Sequence, residues 1–405
     1  RGIYMLSDPA TVKRLMAEPA AFPKNDLMVG ALAPLVGEGI FVSGGATWER
    51  QRRMIDPAFG HMRVAAAFPH MAASWEAQRP VYDRAAEAGE TLSLEAEMSR
   101  LTADIMLRTT FSEAIGSDRA ERVFAAFARF QKACAQVELR RLLLGRAWED
   151  VPQPAAARAA AAEIRGLIGA MVDARIAEPE AGDDIARDVI LARDPETGEG
   201  FTREELIDQL GVFFLAGHET TASALTWAVF ILSQQPGALA RLRAEIDEVA
   251  GAAPLEHGQL KRLSFTRNVF REALRLYPPV TFLARVALDD VRIGALDVPK
   301  GAMLLISPWV VHRHEALWQA ADRFDPDRFA PGREAAIRPG TYLPYGQGPR
   351  VCVGATFAQM EASLILGELL RRYDVEIDPK GVRPVARLTT RPARDIPMRL
   401  VRRGA

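Results

Sequence analysis

The residues best suited to chemistry lie in a glycine-rich segment that ends on a cysteine. From Tyr345 to Gly354 the sequence reads Tyr-Gly-Gln-Gly-Pro-Arg-Val-Cys-Val-Gly, and an apolar helical pattern follows. The free N–H groups of a helix N-terminus stabilise a thiolate, and glycines such as Gly346 let the backbone approach a bulky, flat group. Arg350 can pair with a carboxylate of that group, so Cys352 is predicted to be a metal-ligating thiolate. The alternative is a small core cysteine.

A second polar set interrupts a long apolar pattern at residues 216–221, which read Ala-Gly-His-Glu-Thr-Thr. Such residues are poor choices for the interior of a buried helix. We therefore expect the helix to be locally opened, with a ligand lying against it. A carboxylate beside a hydroxyl can relay protons through water, which makes Glu219 and Thr220 candidate catalytic residues. A polar kink that only packs against its neighbours is the alternative, whereas a zinc-protease His-Glu-x-x-His motif fails at Ala222.

Two further sets pair charges at helical spacing. Glu272 and Arg275 share one helix face, and Arg328 can supply a second arginine that pins the irregular segment around it to that helix. Trp48 and Arg52 also share a face, and both side chains donate hydrogen bonds to carboxylates. For each set an ordinary solvated face is the alternative, because exposed ion pairs contribute only ~0–1 kcal/mol.

The elements that must position these residues are mostly helical. The longest predicted helix begins at a Thr202–Glu205 capping box and must cross the middle of the molecule, because it is apolar on nearly every side. Short strands are predicted at 280–283, 291–293, 302–306 and the C-terminal 384–401, and the irregular stretch 312–353 is long enough to be functional. Helical periodicity predicts helices over 9–18, 48–58, 62–88, 95–111, 119–145, 155–178, 203–235, 264–277 and 355–372.

The composition excludes several classes of protein. The chain has 405 residues, of which 49% are hydrophobic, so it can form a large core and is not a disordered chain. With 51 Lys and Arg against 52 Asp and Glu, no global field favours nucleic acid. Transmembrane helices and nucleotide-binding glycine motifs are absent from the sequence. Two distant cysteines, Cys134 and Cys352, indicate a reducing compartment, and we expect the cytoplasm.

In this order and spacing, the four sets resemble the motifs of the cytochrome P-450 superfamily of haem-thiolate monooxygenases. The family's Phe-x-x-Gly-x-Arg-x-Cys-x-Gly pattern is matched with Tyr345 in place of phenylalanine, and its Ala/Gly-Gly-x-Asp/Glu-Thr-Thr/Ser and Glu-x-x-Arg patterns are matched at 216–221 and 272–275. The resemblance covers almost the whole chain. It implies a mainly α fold, a single triangular domain over 1–405 with small β-sheets, and a missing N-terminal segment of the family.

The resemblance also implies a cofactor, haem b (iron protoporphyrin IX), and roles for individual residues. Cys352 would ligate the iron. Thr220 would hold the iron-bound oxygen and a water on the other haem face, and Glu219 would help to deliver protons. Glu272, Arg275 and Arg328 would be structural. The remaining haem contacts implied are Trp48, Arg52, Ala216, Arg285, Tyr345, Gly346, Arg350 and Gly354.

The activity implied is insertion of one oxygen atom from dioxygen into a C–H bond of a small molecule. The residues that would line the substrate pocket are mostly apolar, so an apolar or amphipathic substrate is expected. These candidate substrate contacts are Leu32, Val36, Phe213, Ala216, Val280, Phe282 and Leu388.

Electrons must come from a separate protein, because the sequence carries no flavin or nicotinamide fingerprint. A ferredoxin or flavodoxin with its reductase is expected, and Arg50 and Arg53 are candidate contacts for it. We expect a monomer with no nucleic-acid partner and no membrane span. Two alternatives stay open: a peroxygenase that uses hydrogen peroxide, and a non-catalytic α-helical binding protein in which Cys352 belongs to the core.

Overall fold

Helices dominate the computed structural model, which describes residues 2–134, 153–178 and 181–404. The part of the predicted helix 119–145 that follows Cys134 lies outside the described residues. In chain order the helices are α1 (Pro9–Ala17), α2 (Asp26–Val36), α3 (Gly45–Ile55), α4 (His61–Ala66), α5 (Phe68–Ala88), α6 (Leu94–Phe111), α7 (Asp118–Ala133), α8 (Ala155–Ala177), α9 (Ile185–Leu191), α10 (Arg203–Ser233), α11 (Pro236–Ala250), α12 (His257–Leu260), α13 (Ser264–Leu276), α14 (Pro308–Val311) and α15 (Ala355–Arg372).

The strands form small, separate sheets. One sheet has the order β1-β6-β3, with β1 parallel and β3 antiparallel to β6, and another has the order β2-β10-β7. Two hairpins, β4–β5 and β8–β9, complete the set found in the described residues. The strands are β1 (Ile3–Leu6), β2 (Thr91–Ser93), β3 (Leu283–Val286), β4 (Val291–Ile293), β5 (Leu296–Val298), β6 (Met303–Ile306), β7 (Tyr373–Glu376), β8 (Pro384–Ala386), β9 (Thr390–Pro392) and β10 (Pro397–Arg402).

Helix α10 forms the centre of the molecule. Its 31 residues extend over about 47 Å at 1.5 Å per residue. The predicted capping box is present: the Thr202 hydroxyl accepts a hydrogen bond from the Glu205 N–H, and the Glu205 carboxylate accepts one from the Thr202 N–H. Most of its side chains are buried, and it packs chiefly against α6 and also against α8, α13 and α15. Within the described residues, no helix is both long enough and apolar enough to cross a membrane.

Two local predictions were wrong and one helix was missed, each for a physical reason. The predicted helix 62–88 divides into α4 and α5, because Pro69 has no N–H to continue the hydrogen-bond ladder. The strand predicted at 280–283 begins only at Leu283, where pairing with Ile306 of β6 starts. Helix α2 was not predicted, since it contains Gly30 and Pro34. It packs against α8 and α10, and such tertiary packing overrides a low helix propensity.

Glu272 joins helix α13 to the irregular stretch 312–353. Its carboxylate lies 2.7 Å from Nε of Arg275 and 3.2 Å from Nε of Arg328, and all three side chains are buried. Arg275 also donates hydrogen bonds to the carbonyl groups of His312 and Ala321. The structure therefore brings the predicted Arg–Glu–Arg set together in the interior, and the set fixes the path of a segment that has little regular structure of its own.

Glu272→Gln is expected to lower the free energy of unfolding by about 3–5 kcal/mol, because it leaves two buried guanidinium groups without their carboxylate. Chemical denaturation followed by circular dichroism measures this change. The matched control is Glu334→Gln, which removes the half-exposed partner of Arg271 and should cost at most ~1 kcal/mol. Equal losses of unfolding free energy in the two variants would show that the buried Arg–Glu–Arg set contributes no more to stability than a half-exposed ion pair.

Candidate active site

A mostly apolar cavity of about 300 Å³ lies between α10, the glycine-rich loop, the start of α15 and strand β3. The side chains of Phe213, Val280 and Phe357 contribute to its apolar walls, and Cys352 and Thr220 also reach it. The glycine-rich loop and the polar set on α10, which are far apart in the sequence, therefore line the same cavity. A cavity with apolar walls and a few polar groups has the character of a small-molecule or cofactor site.

The loop that carries Cys352 is shaped by glycine. Gly348 has a φ of +73°, and a Cβ atom there would lie 2.2 Å from the carbonyl oxygen of Met16, so no other residue fits. The N–H of Cys352 donates to the carbonyl of Tyr345, which closes the loop, and α15 begins three residues further on. Burial raises the pKa of the Cys352 thiol, while the Gly354 N–H and the charge of Arg52 act to lower it.

The α10 wall of the cavity is formed in part by Ala216, Gly217 and Thr220. The expectation that the helix is opened here was wrong, because α10 is a continuous α-helix through these residues. The polar character is accommodated within the helix: the Thr220 hydroxyl donates to the carbonyl of Ala216 over 2.6 Å. Gly217 makes room for helix α6, since a Cβ atom there would lie 2.4 Å from the sulfur of Met106.

Four cationic side chains line the same cavity, namely Lys24, Arg52, Arg285 and Arg350. Burial and the charges of Arg350 and Arg285 lower the pKa of Lys24 to about 7. Burial also lowers the pKa of Arg285 to about 10, and burial together with the nearby arginines lowers the pKa of Arg350 to about 10. The Arg350 guanidinium stacks 4.3 Å from the centre of the Trp48 ring.

Three of these four cations have no carboxylate partner among the residues that the structure describes. Of the four, only Arg52 has a carboxylate partner within the described residues, Asp56 at 2.6 Å. Nη1 of Arg350 is buried there without a hydrogen-bond partner. Because unpaired buried charge is costly, the cavity is electrostatically suited to a group that carries more than one negative charge on one edge and is apolar elsewhere.

The sequence matches the protein-family model described as Cytochrome P450 over residues 1–393. The chain belongs to the cytochrome P450 family. It is 33% identical to cyclooctatin synthase of Streptomyces melanosporofaciens, over 98% of this chain and 86% of that protein. It is 29% identical to pentalenene oxygenase of Streptomyces avermitilis, over 99% of this chain and 88% of that protein.

The fold of this P450 agrees with solved structures of the family. The haem domain of cytochrome P450DA aligns with a TM-score of 0.86 at 26% identity, covering 98% of this chain and 87% of that one. The predicted mainly α fold with small β-sheets is confirmed, as is the prediction of a cytochrome P450 monooxygenase. Such an enzyme uses haem, dioxygen and a redox partner.

The cavity fits haem on grounds of charge and apolar character. Haem is a flat apolar macrocycle with two carboxylates on one edge, and the cavity has apolar walls with unpaired cations on its lining. Trp48, Arg52, Arg285 and Arg350, which were predicted as haem contacts, all line it, and so does Lys24, which sequence reasoning missed. Lys24 had no signal in the sequence, because its place beside Arg285 arises from an isolated β-bridge between the two residues.

Glu219 is placed differently from the sequence prediction. Its carboxylate is buried and does not line the cavity; it forms an ion pair with Arg391 and accepts hydrogen bonds from Thr389 over 2.7 Å and from Gln131. Arg391 adds a hydrogen bond from Nε over 3.0 Å. Both oxygens are therefore occupied by fixed partners, and the acid is not adjacent to Thr220 in the cavity. The structure therefore does not bring the carboxylate of Glu219 to the cavity wall beside the Thr220 hydroxyl.

The predicted substrate contacts divide into two groups. Phe213, Ala216 and Val280 line the cavity. The other four do not. Leu32 and Val36 are buried in the hydrophobic core instead, Leu388 packs against that core, and Phe282 is exposed. These four positions were inferred from the resemblance alone, and side-chain direction depends on helix α2 and on strand pairing that the motifs do not encode.

The two arginines suggested as contacts for an electron donor are committed to internal partners. Arg50 pairs with Glu205 at 2.6 Å, and Arg53 pairs with Asp194 at 3.1 Å and with Glu196. Arg50 therefore joins α3 to the first turn of α10, and Arg53 joins α3 to the segment that precedes α10. This corrects the suggestion that they form a free basic surface.

Arg285→Gln is expected to have opposite effects on the apoprotein and the haem-bound protein. It removes a buried charge without a carboxylate partner, so the apoprotein should gain stability. It also removes a donor to the haem carboxylates, worth roughly 1.5–3 kcal/mol, so haem should leave at least about tenfold faster. Thermal denaturation of apoprotein and haem transfer to a haem-free acceptor protein measure the two effects.

The control for this prediction is Arg50→Gln, since Arg50 is paired with Glu205 and does not line the cavity. It should lose stability without faster haem loss. If Arg285→Gln left haem loss unchanged, Arg285 would not contact the haem carboxylates.

Proposed function

We propose that this P450 monooxygenase binds haem b through Cys352 and hydroxylates an apolar cyclic small molecule. The observation that carries the proposal is a thiol that shares one apolar cavity with unpaired cations and with the Thr220 hydroxyl. When bound, the haem supplies reductive activation of dioxygen, for which a thiolate ligand is favourable. The protein's own residues bind and orient the haem and the substrate, exclude water from the cavity and move protons.

The proposed roles follow from position. Cys352 supplies the thiolate, and the Gly354 N–H tempers its charge. Arg285 and Arg350, with Lys24, hold the carboxylates of the cofactor. The Thr220 hydroxyl lies on the cavity wall with its proton directed to the Ala216 carbonyl. It can turn that proton toward a ligand in the cavity, because a hydroxyl rotates about a single bond.

Glu219 is proposed to act as a fixed anion and not as a mobile proton carrier. With Arg391 and Thr389 it ties the β8–β9 hairpin to the middle of α10. Arg391 also contacts Glu95 of α6 at 3.3 Å. The network therefore holds α10, α6 and the hairpin in one arrangement around the cavity.

The proposed substrate is a cyclic hydrocarbon or a derivative with few polar groups, such as a terpenoid. The support is the apolar cavity wall, to which Phe59, Phe213 and Val280 contribute, and the name of the relative pentalenene oxygenase, which gives pentalenene as that protein's substrate. Hydrophobic burial would provide most of the binding free energy, and the position of the molecule would decide which C–H bond reacts.

A ferredoxin or flavodoxin with its reductase is the proposed electron donor, on the support that the sequence has no flavin or nicotinamide motif. A single domain, a monomeric state and a cytoplasmic location stay predictions. The two alternatives, a peroxide-driven peroxygenase and a non-catalytic binding protein, receive no support from the comparisons.

Cys352→Ala is expected to abolish the red-shifted Soret band of the reduced carbon monoxide complex, because that band requires a thiolate on the iron. The variant should still fold, since the thiol fills little volume and faces the cavity. Cys134→Ala is the control: Cys134 does not line the cavity, and its variant should keep the band. A normal band in Cys352→Ala would refute the assignment of the ligand.

Thr220→Val is expected to keep haem and substrate binding but to divert reducing equivalents into hydrogen peroxide, because the hydroxyl that controls protons in the cavity is lost. The ratio of product to electrons consumed should fall several-fold. Thr226→Val is a close control, since Thr226 lies on the same helix, donates to the Ala222 carbonyl over 2.7 Å and does not line the cavity. Equal coupling in both variants would remove Thr220 from the mechanism.

A further inference from the structure

A second cavity, of about 520 Å³, lies where helices α5, α11 and α15 meet strand β10. None of its lining residues also lines the active-site cavity. Helix α15 begins three residues after Cys352 and reaches the second cavity at its last residue, Arg372. About 27 Å of helix separates its two ends, at roughly 1.5 Å per residue. The second cavity is therefore distant from the proposed haem chemistry, which gives it no role.

The lining of this second cavity, called here the arginine cavity, is strongly basic. Five of its lining residues are arginines and only two are acidic, which is an excess of three positive charges. The arginines come from α5, from the end of α15 and from the end of β10 with the residue that follows it, and they are Arg79, Arg371, Arg372, Arg402 and Arg403. Guanidinium groups gathered around one concave surface repel one another and attract anions.

At the α15 side of the cavity, one carboxylate oxygen serves two arginines. Oε2 of Glu368 lies 3.0 Å from Nη2 of Arg371 and 3.1 Å from Nε of Arg372. Arg403 has no carboxylate partner among the described residues, and its Nη1 donates a hydrogen bond to the carbonyl of Arg371. Three guanidinium groups therefore share a single negative charge.

At the α5 side, Asp83 is likewise shared. Its carboxylate lies 3.1 Å from Nη1 of Arg79 and 2.8 Å from Nη2 of Arg402. The further partners of these arginines, Glu76 and Glu87, are exposed to solvent and do not line the cavity. Because exposed ion pairs are weak and screened by salt, they compensate only part of the positive charge that faces the cavity.

The end of α15 does not oppose an anion here, although the C-terminal carbonyl groups of a helix carry partial negative charge. These carbonyls already accept hydrogen bonds. Nε of Arg243 donates to Leu370 over 2.8 Å, and Nη1 of Arg403 donates to Arg371 over 2.9 Å. The N–H of Arg403 donates to the carbonyl of Arg372 over 2.9 Å. The arginines thus cap the helix, which is one role for them, but this role uses few of their donors.

Unused donors remain on the two arginines that solvent reaches best. No described residue accepts a hydrogen bond from Nη1 or Nη2 of Arg372, or from Nε or Nη2 of Arg403. The side chain of Arg372 is 30% exposed, and Arg403 is exposed. An anion that enters from solvent can therefore bind these N–H groups without breaking an existing contact.

We propose that the arginine cavity binds a small molecule that carries a diphosphate group. A planar guanidinium pairs with phosphate oxygens through two parallel N–H···O bonds. One phosphate carries about 1.5–2 negative charges at neutral pH, which is too few for an excess of three, whereas two linked phosphates match it. The cavity has the volume of a small-molecule site. This binding site goes beyond the proposed function and does not rest on it.

The first test is a calorimetric titration of the haem-bound protein with inorganic pyrophosphate at fixed ionic strength. We expect one saturable site, and affinity at least about tenfold weaker in Arg403→Gln and in Arg372→Gln, since each loses a charged phosphate donor. Arg399→Gln is the matched control, because Arg399 lies on β10, pairs with Glu376 and does not line the cavity. It should bind as the wild type does.

Two results of this titration would overturn the proposal: no saturable binding to the wild type, or equal affinity in the wild type and Arg403→Gln. Arg403→Gln decides the matter even if Arg372→Gln fails to fold, because Arg403 has no carboxylate partner in the described residues and its replacement leaves every ion pair there intact.

The second test reverses the sign of the effect. Asp247 lines the cavity, is exposed and forms no ion pair with any described residue. Asp247→Asn removes a negative charge that repels the ligand, so pyrophosphate should bind several-fold more tightly. Glu248→Gln, the next residue on α11, is exposed and outside the lining, and it should leave the affinity unchanged. Unchanged or weaker binding in Asp247→Asn would place the ligand elsewhere.

The third test identifies the ligand class. Inorganic phosphate should bind at least about tenfold more weakly than pyrophosphate, and equal affinities would refute the diphosphate assignment. ADP presents the same diphosphate group on a nucleoside. Tighter binding of ADP than of pyrophosphate would assign the site to a nucleotide, and the reverse order would assign it to the inorganic anion. Either order supports a diphosphate site, provided that Arg403→Gln weakens the binding.

Discussion

The structure depends on one electrostatic constraint: several cations are held at an apolar cavity without enough protein anions to neutralise them. Lys24, Arg285 and Arg350 have no carboxylate partner among the described residues, and burial depresses the pKa of each. A folded chain tolerates such an arrangement when a ligand supplies the missing charge. The haem of a P450 has two carboxylates beside an apolar ring, so its charge would balance that of the cations, and we propose that Cys352 ligates its iron.

Buried ion pairs hold the walls of this cavity in place. Glu272 fixes the irregular stretch that leads to the cysteine loop, and Glu219 fixes the β8–β9 hairpin against α10. Both glutamates are charged groups whose attraction to arginine offsets the cost of burial. Glu361, which is buried on α15, is different, because no described residue forms an ion pair with it.

The local motifs could be recognised from the sequence, because their chemistry depends on residues that are close together in it. The spacing of Gly348, Arg350 and Cys352 indicated a ligand loop, and the Thr202–Glu205 capping box gave the start of the central helix. The partner of Glu219 could not be predicted from the sequence, because Arg391 lies 172 residues away and no local pattern connects the two residues. For the same reason, the pairing of Arg50 with Glu205 across 155 residues turned a predicted docking surface into an internal contact.

The sequence by itself determined the fold class, the family, the candidate iron ligand and the polar set on the central helix, since each rests on residue types at short, fixed spacing. The tertiary structure decided which glutamate is paired, which cations face the cavity and which apolar residues line it. Those outcomes depend on helix packing and strand register, which bring together side chains from distant parts of the chain and fix the direction in which each one points.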